Sequence, residues 1–220
     1  MLKQLNYKAV LRIKLEGKKW MAINQKKADV QDFDQRSATY ENSRRQSVIF
    51  DRVQKTVLDL AKNGKKPESI LDVGCGTGRL LRKAKEHWPN ARLIGVDPTE
   101  GMIQQATQLL SEAEFHVAMA ESLPLPDASV DLVFSTLSFH HWSNQAKGVS
   151  EIARVLRSQG RVLLADIMIP FGLSLVIRHF KRNNPAKTRE MFAQAGLNVE
   201  FQQRRWRWSR ILVVTGGKKL

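Results

Sequence analysis

A chain of 220 residues with 42% apolar content is long enough for one domain with a sizeable core. Its 36 Lys and Arg against 21 Asp and Glu leave a net charge of +15, which turns attention to anionic partners. A single cysteine excludes an intrachain disulfide framework, and the longest apolar run, residues 167–177, is too short and too broken by Pro170 and Gly172 to span a bilayer.

The charge is uneven. Lys3, Lys8, Arg12, Lys14, Lys18 and Lys19 crowd the start and Arg204, Arg205, Arg207 and Arg210 the end, whereas Asp97, Glu100, Glu112, Glu114, Glu121, Asp127 and Asp131 occupy the middle. An acidic centre suits a cationic ligand. Basic ends suit RNA or an acidic membrane surface, or serve as a solvated face. Leu11, Ile13 and Leu15 alternate as in a strand, yet Met21 opens a stretch that reads like a natural start, so residues 1–20 read as an upstream extension. The first residues lack the uninterrupted apolar core of a signal peptide, and the expected location is the cytoplasm.

A helix is predicted from about Arg44 to Lys62, capped by Ser43, with Ile49, Val53, Val57 and Leu60 on its apolar face and Asn63-Gly64 as its stop. Ile70-Leu71-Asp72-Val73-Gly74-Cys75-Gly76-Thr77-Gly78-Arg79-Leu80-Leu81 then reads as strand, tight turn and helix. Glycine is required where the backbone takes positive φ or approaches a ligand closely. Such a turn presents backbone N–H groups and a helix N-terminus to one small molecule. The spacing is not that of a P-loop. A dinucleotide fingerprint fails as well, because Arg79 stands where its third glycine is needed. What remains, acidic-x-G-x-G-x-G, suits a cationic ligand that phosphate-binding turns would not.

Residues 91–97 read as a second buried strand whose terminal Asp97 is placed for ribose hydroxyls. Thr99 starts a helix. Residues 114–118 give a third strand and 130–135 a fourth, which empties into Thr136-Leu137-Ser138-Phe139-His140-His141-Trp142. Ligands bind at the carboxyl ends of parallel strands, so this loop faces the chemistry. Asn144 caps a helix that Ser158-Gln159-Gly160 ends, and 161–166 form a fifth strand. A helix near 188–195 and two β-rich stretches, 198–208 and 210–215, close the chain; Trp206 and Trp208 read as packing on one strand face.

The glycine turn resembles motif I of the class I S-adenosylmethionine (SAM)-dependent methyltransferases. Residues 119–131, Met-Ala-Glu-Ser-Leu-Pro-Leu-Pro-Asp-Ala-Ser-Val-Asp, resemble the "DAExLPFPDxSFD" run of the type 11, ubiquinone-biosynthesis-like members, and residues 154–166 resemble their motif III region. The resemblance covers roughly residues 30–216. It implies an α/β, Rossmann-like fold: a seven-stranded, mostly parallel sheet with helices on both faces and a C-terminal antiparallel hairpin. The implied organisation is a basic extension over 1–29 and a methyltransferase domain over 30–220, with a lid at 30–43 and a substrate-covering insertion at 167–187.

The same resemblance implies SAM as cofactor, S-adenosylhomocysteine as product and no metal. The implied cofactor-binding residues are Tyr40, Asp72, Gly74, Cys75, Gly76, Gly78, Asp97, Met102, Ala120, Glu121 and Ser135. One departure stands out: Met119 occupies the place of an aspartate that accepts from the adenine amino group, leaving that contact to Ala120 or Glu121. The implied acceptor is a small or lipid-like molecule. His141 resembles the post-strand histidine of the phosphoethanolamine methyltransferases, which works with a lid tyrosine, here Tyr40, and histidine suits a general base. A structural role for both histidines stands beside that reading. Two others compete: an RNA-directed methyltransferase or nucleic-acid-binding protein using the basic ends, and a SAM-binding protein without catalysis. The sequence gives no sign of oligomeric state.

Overall fold

The computed structural model describes residues 31, 34, 35, 37, 44–168, 184–207 and 210–220. Within them, helices α1 (Arg44–Lys62), α2 (Arg79–His87), α3 (Glu100–Leu109), α4 (Gln145–Val155) and α5 (Pro185–Gln194) interleave with strands β1 (Ser69–Val73), β2 (Arg92–Asp97), β3 (Glu114–Val117), β4 (Val130–Thr136), β5 (Leu156–Met168), β6 (Leu197–Arg207) and β7 (Arg210–Lys219). They build one sheet in the order β3-β2-β1-β4-β5-β7-β6, parallel except for β7, which runs against both its neighbours. This is the predicted seven-stranded Rossmann-like sheet. The strand order reverses direction between β1 and β4, which opens a crevice at their carboxyl ends.

Side-chain alternation divides the core in two. Ile70 of β1, Leu132 and Phe134 of β4, and Leu163 and Ala165 of β5 face α1 and α2, where Val57, Leu80, Leu81 and Ala84 meet them. Leu71, Val73, Val133, Val162 and Leu164 face the other way, onto Val149 and Ile152 of α4 and Phe192 of α5. A sheet covered on both faces requires strands that are apolar throughout, and β1 is buried at all five positions. In β1 and β5 the same alternation assigns the polar residues: Asp72 follows Ile70 to the α1 face, and Asp166 follows Val162 and Leu164 to the α4 face.

Two boundaries differ from expectation. Helix α4 passes straight into β5 at Leu156, which pairs with Val130, so Ser158-Gln159-Gly160 is an irregularity inside the strand rather than a linker. Gln159 carries it with φ 65°. Helix α5 starts at Pro185, where the missing N–H costs nothing, and the Asn184 side chain accepts from Ala186 N at 3.0 Å.

Residues 1–30, Tyr40 and most of the 30–43 segment, Ser43, residues 169–183 of the 167–187 insertion, and Trp208 lie outside the described residues. Among those described, no helix is long and apolar enough to cross a membrane.

Candidate active site

At the carboxyl end of β1 the chain turns sharply, with Gly74, Gly76 and Gly78 at φ 79°, 53° and 74°. Asp72 lies on the α1 side of the sheet, and Thr136, two residues beyond Phe134, lies on the same side of β4. Between them opens a cleft of about 370 Å³ lined by Phe50, Gln54, Asp72, Gly74, Cys75, Gly76, Thr77, Arg79 and Thr136. Phe50 and Gln54 reach it from α1, four residues apart and therefore on one helix face.

The turn is fixed from two directions. Gly74 N and Cys75 N donate to Val96 O at 2.7 and 3.1 Å. Gly76 N donates to Asp97 Oδ2 at 3.0 Å, and Thr99 N to Asp97 Oδ1 at 3.0 Å, so one carboxylate ties the glycine turn to the start of α3. Burial pushes the Asp97 carboxyl above its ordinary range, against the lowering effect of these amides. From the other side, Ser138 Oγ donates to Val73 O at 2.9 Å and lies 2.8 Å from Ser135 Oγ. A side chain at Gly74 would collide with Ser138, so the turn and the loop after β4 are packed to contact.

The cleft contains an unanswered charge requirement. Asp72 is 1% exposed, and its Oδ1 has no hydrogen-bond partner among the described residues. Burial, with the nearby Asp97 charge, pushes its carboxyl up to about 8. A buried carboxyl of this kind is satisfied by a cationic ligand. SAM carries an ammonium and a sulfonium, so the residues present fit that cofactor. The thiol of Cys75 is pushed up by burial and by both carboxylates, which makes it an inert wall rather than a nucleophile.

The structure brings Asp72, Gly74, Cys75 and Gly76 together at the cleft, with Asp97 bonded to the same turn. Gly78 is used for packing, since a Cβ there would stand 3.1 Å from Phe115. Met102 and Ala120 are buried, Ser135 is fully enclosed beside Ser138, and Met119 is exposed. Glu121 accepts from Asn144 N at 2.8 Å, at the entrance to α4. His141 is exposed; its backbone N donates to Ser138 O at 2.9 Å, and its ring lies 4.0 Å from that of His140. Phe50, Gln54, Thr77 and Arg79 are additions to the expected site residues, and Thr136 opens the loop that the sequence placed facing the chemistry. The i, i+4 pairing of Phe50 with Gln54 and the β4 alternation ending at Thr136 were the signals available.

Residues 71–164 match the methyltransferase domain family model. The malonyl-[acyl-carrier protein] O-methyltransferase of Hahella chejuensis is 36% identical over 118 residues, covering 53% of this chain and 42% of that protein. The demethylmenaquinone methyltransferase of Thermotoga maritima is 32% identical over 104 residues, covering 47% and 45%. The chain thus matches less than half the length of these two relatives. The fold of geranyl diphosphate C-methyltransferase from Streptomyces coelicolor, solved with S-adenosyl-L-homocysteine, superposes with a TM-score of 0.67 at 13% identity, covering 78% of this chain and 80% of that one.

Proposed function

The chain carries a class I SAM-dependent methyltransferase domain of type 11, and from that premise we propose that it transfers a methyl group from SAM to a small or lipid-like acceptor. The observation that carries the reading is Asp72, a buried carboxyl with an unpartnered oxygen at a glycine turn. SAM, when bound, supplies a methyl group whose bond to sulfur breaks with its electron pair left on sulfur as the acceptor's lone pair forms the new bond.

The chain's own residues do the rest. Asp72 answers positive charge in the cleft, and the amides of the glycine turn bring the backbone within contact of the ligand. Asp97, its carboxylate oriented by Gly76 and Thr99, is set to accept from ribose hydroxyls. Alignment and exclusion of water are the main requirements of such a displacement. The names of the relatives, acting on malonyl-[acyl-carrier protein] and on demethylmenaquinone, support a small or lipid-like acceptor.

Calorimetric titration with SAM and S-adenosylhomocysteine tests the reading. One site per chain is expected, with Asp97→Ala weakening it by about 1.5–3 kcal/mol, the usual worth of hydrogen bonds to a charged group. Binding of NAD in place of SAM would overturn it.

A further inference from the structure

Resting on the SAM reading, we propose that this chain does not select its cofactor by the exocyclic amine of the base: Met119 gives the base an apolar wall at an open edge, and cofactors altered at the purine 6-position are accepted. The covalent order of SAM is methionine, ribose, base. The carboxyl ends of β1, β2 and β3 lie side by side in the sheet, all three strands parallel. With Asp72 of β1 answering the charge of the methionine end and Asp97 at the end of β2 accepting from ribose hydroxyls, the base continues in the same direction. It reaches the chain that leaves β3 after Val117.

The surface at that place is apolar and open. Val117 is 49% exposed and Met119 38%. Val117 is paired with Asp97 in the parallel register, and Ala118 N donates to Asp97 O at 3.1 Å, so these two side chains flank the residue bonded to that aspartate. Single exposed apolar residues are ordinary. These, however, are two of the four large ones among the described residues, and the other two, Leu109 and Leu220, stand at the end of α3 and the end of the chain. Met102, in the first turn of α3, adds an apolar side chain that is 2% exposed.

The polar groups nearby are committed elsewhere. Glu121 Oε1 accepts from Asn144 N at 2.8 Å, at the entrance to α4. Met119 O accepts from Ser122 N at 3.0 Å, which closes a tight turn over 119–122. The methyl group of Ala120 is buried in the core on the α4 side. A thioether is a weak acceptor. A site selects by an amine when it strips the amine of water and offers a fixed acceptor, which an analogue lacking the donor then leaves unpaired. At the open edge beside Met119 the amine keeps its water, and the base is held by its faces, which all purines share. The unbranched, polarisable methionine side chain adapts to a ring with or without a substituent.

Calorimetry on the full chain tests this with three ligands. They are S-adenosylhomocysteine, its analogue with purine in place of adenine, which loses the amine and keeps every ring nitrogen, and its N6,N6-dimethyl analogue, which cannot donate. The three dissociation constants are expected to agree within about fivefold. Met119→Ala is expected to weaken all three alike. Met119→Asp and Met119→Asn put a charged and a neutral acceptor at the edge. Both are expected to create a preference for S-adenosylhomocysteine over the purine analogue, of about tenfold or more with the charged acceptor. A wild-type preference larger than about fivefold overturns the proposal. So do wild-type affinities for all three ligands in all three variants, which would take Met119 away from the base. Failure of the wild-type chain to bind S-adenosylhomocysteine at all would instead remove the methyltransferase reading.

Discussion

The carboxylate of Asp34 accepts a hydrogen bond from the backbone N–H of Gly101, 2.7 Å away and 67 residues along the chain. The N-cap residue of α3, Thr99, makes no side-chain cap of its own, so the cap is supplied from outside the helix. Ser37 Oγ donates to Asp34 O at 2.8 Å, and a Cβ on Gly101 would stand 2.6 Å from that hydroxyl. Asp34 and Ser37 are therefore anchored to the helix that follows Asp97.

Removing the anchor gives the first prediction. Asp34→Ala is expected to cost about 1 kcal/mol, as loss of a helix cap does. For a chain of this size, that is a fall of roughly 2–4 °C in melting temperature. Gly101→Ala keeps the carboxylate but obstructs Ser37 and Asp34, and is expected to make the chain around these two residues more open to proteolysis. S-adenosylhomocysteine should dissociate faster from both variants in stopped-flow displacement. Unchanged dissociation in both would show that the anchored segment does not cover the ligand.

Asp72 gives the second, through its pH dependence. Its carboxyl titrates at about 8 in the fold against an ordinary 3.8, so between these values folding takes up a proton. Stability is then greatest below about pH 4, falls as pH rises to about 8, and is constant above, as far as this group decides it. Asp72→Asn removes the penalty and is expected to raise the melting temperature of the ligand-free protein at neutral pH, by an amount that grows from pH 5 to 8. The same variant should bind SAM weakly. Wild-type affinity for SAM should climb with pH up to about 8, because the cation needs the ionised carboxylate. A melting temperature lowered by Asp72→Asn at pH 7.5 would remove this account.

What the sequence made legible follows the same division between local and distant causes. The glycine turn, Asp72 and Asp97 were readable because their spacing along the chain is itself the geometry. The mostly parallel sheet followed from alternating strands and helices, since parallel neighbours demand right-handed crossovers. The Asp34–Gly101 bond was not readable, because nothing local distinguishes a cap supplied from 67 residues away. The His140–Asp166 pair was hidden for a similar reason. Two adjacent histidines look equivalent in sequence, and only the β4–β5 pairing, with Thr136 opposite Ala165, sets Asp166 beside one of them. Gln54 was missed at the cleft because its i, i+4 relation to Phe50 marks a shared helix face, and what that face meets is set only when the elements pack.

The contact between Gly74 and Ser138 gives the last prediction. Alanine at Gly74 meets two obstacles: a φ of 79°, which costs an L-residue roughly 1–2 kcal/mol, and collision with the Ser138 side chain. Ser138→Gly clears the space, but it removes the hydroxyl that bonds Val73 O and faces Ser135, a loss of about 1 kcal/mol for a typical hydrogen bond. The two changes touch the same few atoms and should not act independently. Gly74→Ala alone is expected to lower the melting temperature by several degrees and to weaken SAM binding. Ser138→Gly alone should lower it less. The double variant should be more stable than the sum of the two losses, because the collision is gone and only the backbone cost and the lost hydroxyl bonds persist. Chemical denaturation of the four proteins measures the coupling. Losses that add to within about 0.5 kcal/mol would mean that Ser138 does not press on the turn, and that Gly74 is required for its φ alone.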